Sequence, residues 1–281
     1  VSYITRFAPS PTGPLHLGHA FSALTAWERA KARGGTFLLR IEDLDAPRCR
    51  PEWEVGIYED LRWLGLSWPE PVMRQSARGE AYASALNRLI SLGLCYPCRC
   101  TRGDIRAALS APQESAGRAA EALIYPGTCR GRGMSEAGPG DAIRIDLARA
   151  LERLAPPPFT ETGPAYAGQH FIEPDHILKN LGDVILARRG IGAAYHLAVV
   201  VDDAAQGVTE AVRGADLFGA TFLHVLLQAA LELPTPSYHH HRLIRDGQGK
   251  RLAKRDDARA LAKFRAEDVG PEEIRRMVGP G

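Results

Sequence analysis

Phe7–Ala20 reads FAPSPTGPLHLGHA, a loop stiffened by Pro9, Pro11 and Pro14 that ends in His16-Leu17-Gly18-His19 at the mouth of a predicted helix. Upstream, Val1 to Ala8 can form a first strand. Downstream of His19, the apolar positions Phe21, Leu24 and Trp27 fall on one helical face, and Gly34-Gly35 stops that helix. Thr36-Phe-Leu-Leu-Arg-Ile41 then reads as a buried strand, so the segment is a strand-helix-strand unit of an α/β fold. The carboxyl end of this second strand delivers Glu42, Asp43 and Asp45 into a loop. His16 and His19 stand three apart with Gly18 between them. Imidazoles and helix N-terminal amides both donate to phosphate oxygens, and glycine lets a flat base approach the backbone. Taken alone, the pair also reads as two surface histidines.

Further along, helical patterns cover Glu52 to Leu64 and Arg78 to Leu92, the second closed by Gly93. Leu94 to Gly138 changes character, with cysteines, glycine and an alanine-rich polar stretch, and is the best candidate for a small inserted domain. Asp141-Ala-Ile-Arg-Ile-Asp146 reads as a strand and Pro156-Pro-Pro158 as a stiff connection. Tyr195-His-Leu-Ala-Val-Val-Val201 is nearly all apolar from Leu197 and predicts a strand of a parallel sheet covered on both faces, running into Asp202-Asp203. Loops at the carboxyl ends of such strands are where open α/β sheets bind ligands. Leu217 to Leu233 predicts a helix carrying His224, and the stretch from Ala260 to Gly281 is too short for another full domain.

Composition narrows the class. The 281 residues are 45% apolar and 24% charged, enough for one sizeable core plus a smaller appendage. No apolar run approaches the roughly 20 residues of a membrane span, and no basic-then-apolar export segment opens the sequence, so a cytoplasmic protein is expected. Lys+Arg 35 against Asp+Glu 33 excludes a globally basic nucleic-acid surface, and any RNA contact must be local. The best local patch is Arg242, Arg245, Lys250, Arg251, Lys254, Arg255 and Arg259, whose bland alternative is a solvated basic loop.

Five cysteines argue against a disulfide scaffold and for a reducing compartment. Cys98-x-Cys100 followed by Tyr125-x-x-x-Cys129 offers three thiolates, which favour zinc over hard cations, and a tetrahedral shell needs a fourth ligand. On spacing alone, buried free cysteines remain an alternative, tyrosine is an unusual ligand, and His170 or His176 could stand in its place.

The run from Arg6 to His19 resembles the class I aminoacyl-tRNA synthetase signature in the version used by glutamyl and glutaminyl enzymes. More than 230 residues later, Arg251-Leu-Ala-Lys-Arg255 resembles the KMSKS-type loop, with Ala253 where the family often has serine. The resemblance extends over nearly the whole chain, including Tyr195 to Asp203 and Gly207 to Asp216. It implies a Rossmann-like α/β catalytic domain in which His16, Gly18, His19 and Lys254 hold ATP and stabilise charge as a carboxylate attacks the α-phosphate. It also implies that Arg6, Ala8, Ser10, Glu42, Tyr195 and Arg213 form the glutamate pocket, with Glu42 taking the ammonium. A guanidinium fork suits the γ-carboxylate, because it can bond both oxygens. Read without the resemblance, Glu42 pairs with Arg40 or Arg48, Tyr195 packs in a strand core, and Arg213 pairs with Glu210 or Asp216.

The C-x-C, Y-x-x-x-C arrangement is similar to that of the glutamyl-queuosine tRNA(Asp) synthetases, shortened paralogues of glutamyl-tRNA synthetase. That resemblance implies one structural zinc held by Cys98, Cys100, Tyr125 and Cys129, Mg²⁺ accompanying ATP, and activation of L-glutamate without tRNA. Transfer to the queuosine of tRNA(Asp) would follow. The sequence stops about 27 residues beyond Lys254, so a full anticodon-binding domain is not expected. A monomer is expected. The implied organisation is a first catalytic part (1–93), the zinc-containing insertion (94–138), the rest of an acceptor-binding-like region (139–193), a second catalytic part (194–259) and a short tail (260–281). Two other functions fit the same residues: a truncated enzyme charging tRNA(Glu), and a nonenzymatic zinc-containing RNA-binding module.

Overall fold

A computed structural model describes residues 2–101, 103–105, 124–188, 192–244 and 259–280. Lys254, the rest of the KMSKS-like loop and most of the spacer between Thr101 and Ile124 lie outside these residues.

The opening unit forms as its pattern dictates. Strand β1 (Ile4–Phe7) and strand β2 (Thr36–Ile41) pair in parallel, joined by helix α1 (Leu17–Ala32). Gly34 ends the helix at a φ of +59°, a conformation that suits glycine. Helix α2 (Pro51–Trp63) opens on a proline at its first turn, where the missing N–H costs nothing, and short strand β3 (Met73–Arg74) adds to β2.

Helix α3 (Gly79–Ser91) leads into strand β4 (Cys95–Cys98). Strand β5 (Ala142–Ile145), helix α4 (Leu147–Arg153), strands β6 (Phe159–Glu161) and β7 (Gly168–His170), helix α5 (Pro174–Asn180) and strands β8 (Ile185–Arg188) and β9 (Gly192–Ala193) follow. Within this stretch β4, β5, β8 and β9 make an antiparallel sheet in that order. Beyond it, strands β10 (Glu210–Gly214) and β11 (Ser237–His241) pair in parallel, and β6 and β7 continue their sheet.

The two sheets of the catalytic part meet at β1 and β10. The Thr209 N–H donates to the Ile4 carbonyl at 2.9 Å, and Arg6 Nη1 to the Val212 carbonyl at 3.1 Å. The strand order therefore runs β3-β2-β1 and then β10-β11, and the chain direction of travel reverses between β1 and β10. In an open α/β sheet this is the position where the carboxyl ends part to admit a ligand.

One expectation fails. Tyr195–Ala205 is helix α6, with Leu197, Ala198, Val199 and Val200 buried, and not a strand. A continuous apolar run carries neither a period of two nor one of 3.6, so a fully buried helix and a fully buried strand look alike. Asp202 and Asp203 accordingly lie inside this helix rather than in a loop after a strand. Helix α7 (Phe218–Leu231), predicted as a helix, packs against α6 with most of its residues buried. After residue 258 the chain forms helices α8 (Leu261–Ala266) and α9 (Pro271–Val278). Leu261, Phe264, Ile274 and Val278 of these helices enter the same core as Phe21, Leu24, Leu39 and Leu61. Among the described residues no helix is long and apolar enough to cross a membrane.

Candidate active site

At the entrance to α1, two histidines satisfy each other's helix-end groups. His16 is the N-cap, its Nδ1 accepting from the Gly18 N–H at 3.1 Å, while His19 Nδ1 accepts from the His16 N–H at 3.1 Å. The rings lie 3.8 Å apart. A Cβ on Gly18 would stand 3.0 Å from the His16 ring, so glycine keeps this approach open. The Leu261 N–H donates to the Leu15 carbonyl at 2.8 Å, and Ala260 bridges to His16. The described residues on either side of the KMSKS-like segment thus reach this site: Ala260 from one end, Leu243 and Ile244 from the other as part of the cavity wall.

That cavity sits at the carboxyl ends of β1 and β10. It gathers Arg6, Ala8, His16, Gly18, Glu42, Tyr195 and Arg213, seven of the residues singled out in the sequence. Ser10 lies in an adjoining cleft that shares Glu42 and Tyr195 as its wall. His19 stands behind His16 rather than in the cavity lining.

The charges are arranged unequally. Arg6 is buried and donates through Nε and Nη2 to both oxygens of Asp203, at 2.9 and 3.1 Å. Arg40, with no exposure at all, donates to the same carboxylate at 2.7 Å and to Glu42 at 3.1 Å. Burial alone would raise the pKa of Asp203, but Arg6 and Arg40 outweigh it and hold the group at about 2. For Glu42 burial wins and its pKa rises, although Arg40 pulls the other way. The Arg40 pairing of Glu42 is therefore real and coexists with its place in the cavity. Arg213 is paired neither with Glu210 nor through an ion pair to Asp216; Glu210 bonds Arg29 instead. Nε of Arg213 donates to His240 Nε2 at 3.0 Å, Nη1 to His224 Nδ1 at 2.9 Å and Nη2 to Thr221 Oγ1 at 2.7 Å.

Arg40 is expected from sequence as a partner of Glu42, Asp203 after a predicted strand and His224 on a predicted helix, but their parts in holding Arg6 and Arg213 are not, and His240 and Thr221 are missed altogether. The run Tyr238-His-His-His241 was the one visible signal, and its meaning depends on β10 and β11 pairing so that Arg213 lies opposite His240. Of the basic patch, Arg242 stacks its guanidinium 4.5 Å from the Phe21 ring and donates to the Val278 carbonyl, while Arg259 pairs with Glu267.

Away from this cavity, Cys98, Cys100 and Cys129 bring their sulfurs within 4.8 Å of one another. The Tyr125 hydroxyl lies 3.4 Å from Cys98 Sγ and 3.6 Å from Cys100 Sγ, and Cys100 Sγ lies 3.5 Å from Cys129 Sγ. Four ligands around zinc at thiolate distance would stand about 3.8 Å apart, so these spacings fit a tetrahedral shell. The Cys129 N–H donates to the Tyr125 oxygen at 2.8 Å. Burial opposes ionisation of Cys129, yet the Tyr125 hydroxyl and the neighbouring thiols lower its pKa. His170 and His176 lie elsewhere, against Phe159 and Phe222, and do not join the cluster.

The chain matches the family of tRNA synthetases class I (E and Q), catalytic domain, over residues 2–130 and 167–279. It is 56% identical over 279 residues to a glutamyl-Q tRNA(Asp) synthetase of Rhodobacter capsulatus, covering 98% of this chain and 99% of that protein. The chain belongs to this class I synthetase family. A glutamyl-Q tRNA(Asp) synthetase of Geobacter sulfurreducens is 41% identical over 263 residues, 93% of this chain and 78% of the relative. A solved glutamate tRNA ligase of Elizabethkingia meningosepticum, in complex with its amino acid, superposes with a TM-score of 0.71 at 28% identity and covers 91% of this chain. The chain spans about half of that ligase, 52% of its length. In this family frame the cavity at the α1 entrance lies in the matched catalytic domain, and the cysteine cluster falls wholly inside the first matched segment.

Proposed function

We propose that this protein activates L-glutamate with ATP to glutamyl-adenylate and transfers the glutamate to the queuosine base of tRNA(Asp). The observation that carries the activation step is the meeting of Arg6, Glu42, Tyr195 and Arg213 with His16 and Gly18 around one cavity. An amino acid bearing two carboxylates and an ammonium finds two guanidiniums and a partly buried carboxylate there. The α1 N-terminus and its histidines supply donors for phosphate oxygens beside it. No side-chain nucleophile is needed: the substrate carboxylate attacks the α-phosphate, pyrophosphate leaves, and fixed donors stabilise the charge that develops. Mg²⁺ enters with ATP through its affinity for phosphate oxygens. Ser10 lies in the adjoining cleft that shares Glu42 and Tyr195 with this cavity, beside the glutamate it would contact. The choice of acceptor rests on the relatives named glutamyl-Q tRNA(Asp) synthetase, that of Rhodobacter capsulatus being covered over 99% of its length.

Lys254 has the role of neutralising phosphate charge, and Lys254→Ala is expected to slow adenylate formation by about 100-fold or more while leaving metal content unchanged. Cys98, Cys100, Tyr125 and Cys129 would hold one zinc, whose part is to fix the insertion rather than to take part in chemistry.

Pyrophosphate exchange dependent on glutamate and ATP, without tRNA, tests the first step; its absence would leave only RNA binding. The likeness to solved glutamate tRNA ligases favours one second reading, charging of tRNA(Glu). Side-by-side acylation of queuosine-containing tRNA(Asp), unmodified tRNA(Asp) and tRNA(Glu) separates the two.

A further inference from the structure

The two arginines of the cavity are held in opposite ways. Arg6 faces a carboxylate, whereas the three groups bonded to Arg213 are two imidazoles and a hydroxyl. Guanidinium has only donors, so the imidazole nitrogens facing Arg213 must present lone pairs, and each ring must carry its proton on the other nitrogen. Both of those other nitrogens have an acceptor in place. His240 Nδ1 faces Glu161 Oε2, and His224 Nε2 lies 3.0 Å from His196 Nδ1. Glu161 is in turn fixed by the Gly163 and His240 N–H groups. Burial disfavours an imidazolium at both positions. For His224 the charges of Arg213 and Arg6 act in the same sense; for His240 the Glu161 hydrogen bond only partly offsets burial.

We propose that His224 and His240 are positioning residues that hold the Arg213 guanidinium through neutral imidazoles and thereby leave its charge for a carboxylate of the amino-acid substrate. His196 and Glu161 fix which nitrogen each ring presents. The proposal rests on the reading of Arg213 as a glutamate ligand. An aspartate in the place of an imidazole would orient the guanidinium as well, but its charge would compete with the substrate.

The full chain, assayed by glutamate-dependent pyrophosphate exchange, provides the test. In His224→Asn an amide oxygen takes the place of Nδ1, and in His224→Asp a carboxylate does. The glutamate KM is expected to rise no more than about threefold in the first and at least about tenfold in the second. The ATP KM should stay within about twofold in both, and the Asp variant should melt no lower than the Asn variant. A merely structural role would favour the carboxylate, so equal glutamate KM values in the two variants overturn the proposal. On the unaltered protein, ¹⁵N-histidine spectra at pH 7 should show both rings neutral, His240 protonated at Nδ1 and His224 at Nε2; an imidazolium at either overturns it even where a variant does not fold. Arg213→Ala keeps the two levels apart. An unmoved glutamate KM there removes Arg213 as a ligand, whereas a raised one beside equal Asn and Asp variants removes only the positioning role.

Discussion

Arg6 and Asp203, 197 positions apart in the chain, meet in two hydrogen bonds of 2.9 and 3.1 Å that fasten the end of β1 to the interior of α6. Arg40, on the neighbouring strand, shares the same carboxylate at 2.7 Å. One aspartate thus balances two buried guanidiniums beneath the cavity, and Asp202 next to it collects Gln75, Arg78 and Tyr82. The α6 helix is the hub through which β1, β2 and α3 are registered against one another, and the substrate-facing groups inherit their positions from it.

Asp203→Asn removes the carboxylate that Arg6 and Arg40 share, leaving Arg6 buried without its ion-pair partner and Arg40 with only Glu42 and the more distant Asp202. Losses of this kind cost about 3–5 kcal/mol, read by denaturant unfolding at pH 7. The carboxyl is held at about 2, below its unfolded value. Its contribution is therefore fully present above about pH 4 and is lost as the pH falls toward 2. The penalty of the Asn variant should shrink accordingly at pH 3. A loss under 1 kcal/mol at pH 7 would show that the cluster is not what holds α6.

His19→Ala separates two roles that share one side chain. As the group accepting from the His16 N–H, its loss should cost about 1 kcal/mol of stability, as for other helix caps. As a phosphate ligand, its loss should slow exchange by about 100-fold. Parallel melts and exchange rates decide: a rate that falls only as far as the lost stability explains would remove the residue from ATP binding.

The cysteine cluster forms its own small core with Tyr96, apart from the two larger clusters. Cys98→Ala is therefore expected to abolish stoichiometric zinc by elemental analysis, and Tyr125→Phe to weaken its retention. Chelation should increase amide exchange in β4 and around Cys129 well before it affects β1 or α1. Undiminished metal in both variants would dissolve the proposed shell.

How far the sequence reached depends on where each contact is encoded. The β1–α1–β2 unit was legible because period, glycine stops and a turn signature agree within one short window. The thiols Cys98, Cys100 and Cys129 can be read from spacing and ligand type, whereas Tyr125 enters only through the family resemblance. Tyr195–Val201 reads as a strand because Leu197–Val201 is apolar throughout, and Val199, Val200 and Val201 favour a strand locally while packing against α7 decides for a helix. Arg213 was found but its holders were not. His240 lies opposite it only through strand register, and His224 reaches it from a separate helix.

Acid sensitivity should begin where histidine, not carboxylate, titrates. His196 and His239 are each pulled down to about 4, first by burial and then by the charges of Arg213 and Arg29 respectively. His224, His240 and His241 are lowered too, again chiefly by burial. Their folded values lie below the unfolded value near 6.5, so between those limits the unfolded chain binds more protons. Their contribution is complete above about pH 6.5 and declines as the pH falls, by up to about 1.4 kcal/mol per pH unit for a fully linked group. Asp60 runs the other way. Burial raises it to about 6 despite Arg265, so its protonation on acidification favours the folded form and offsets one histidine. Asp203 and Glu210, both at about 2, add slope of the same sign as the histidines only as the pH falls to their unfolded values of 3.8 and 4.5. Stability measured by urea unfolding should therefore drop steadily from pH 6.5 to 4.5. Asp60→Asn should steepen the drop by removing an opposing group, Glu42 being the other one raised by burial, and His239→Gln should make it shallower. A flat profile over this interval would mean that the buried imidazoles are already charged.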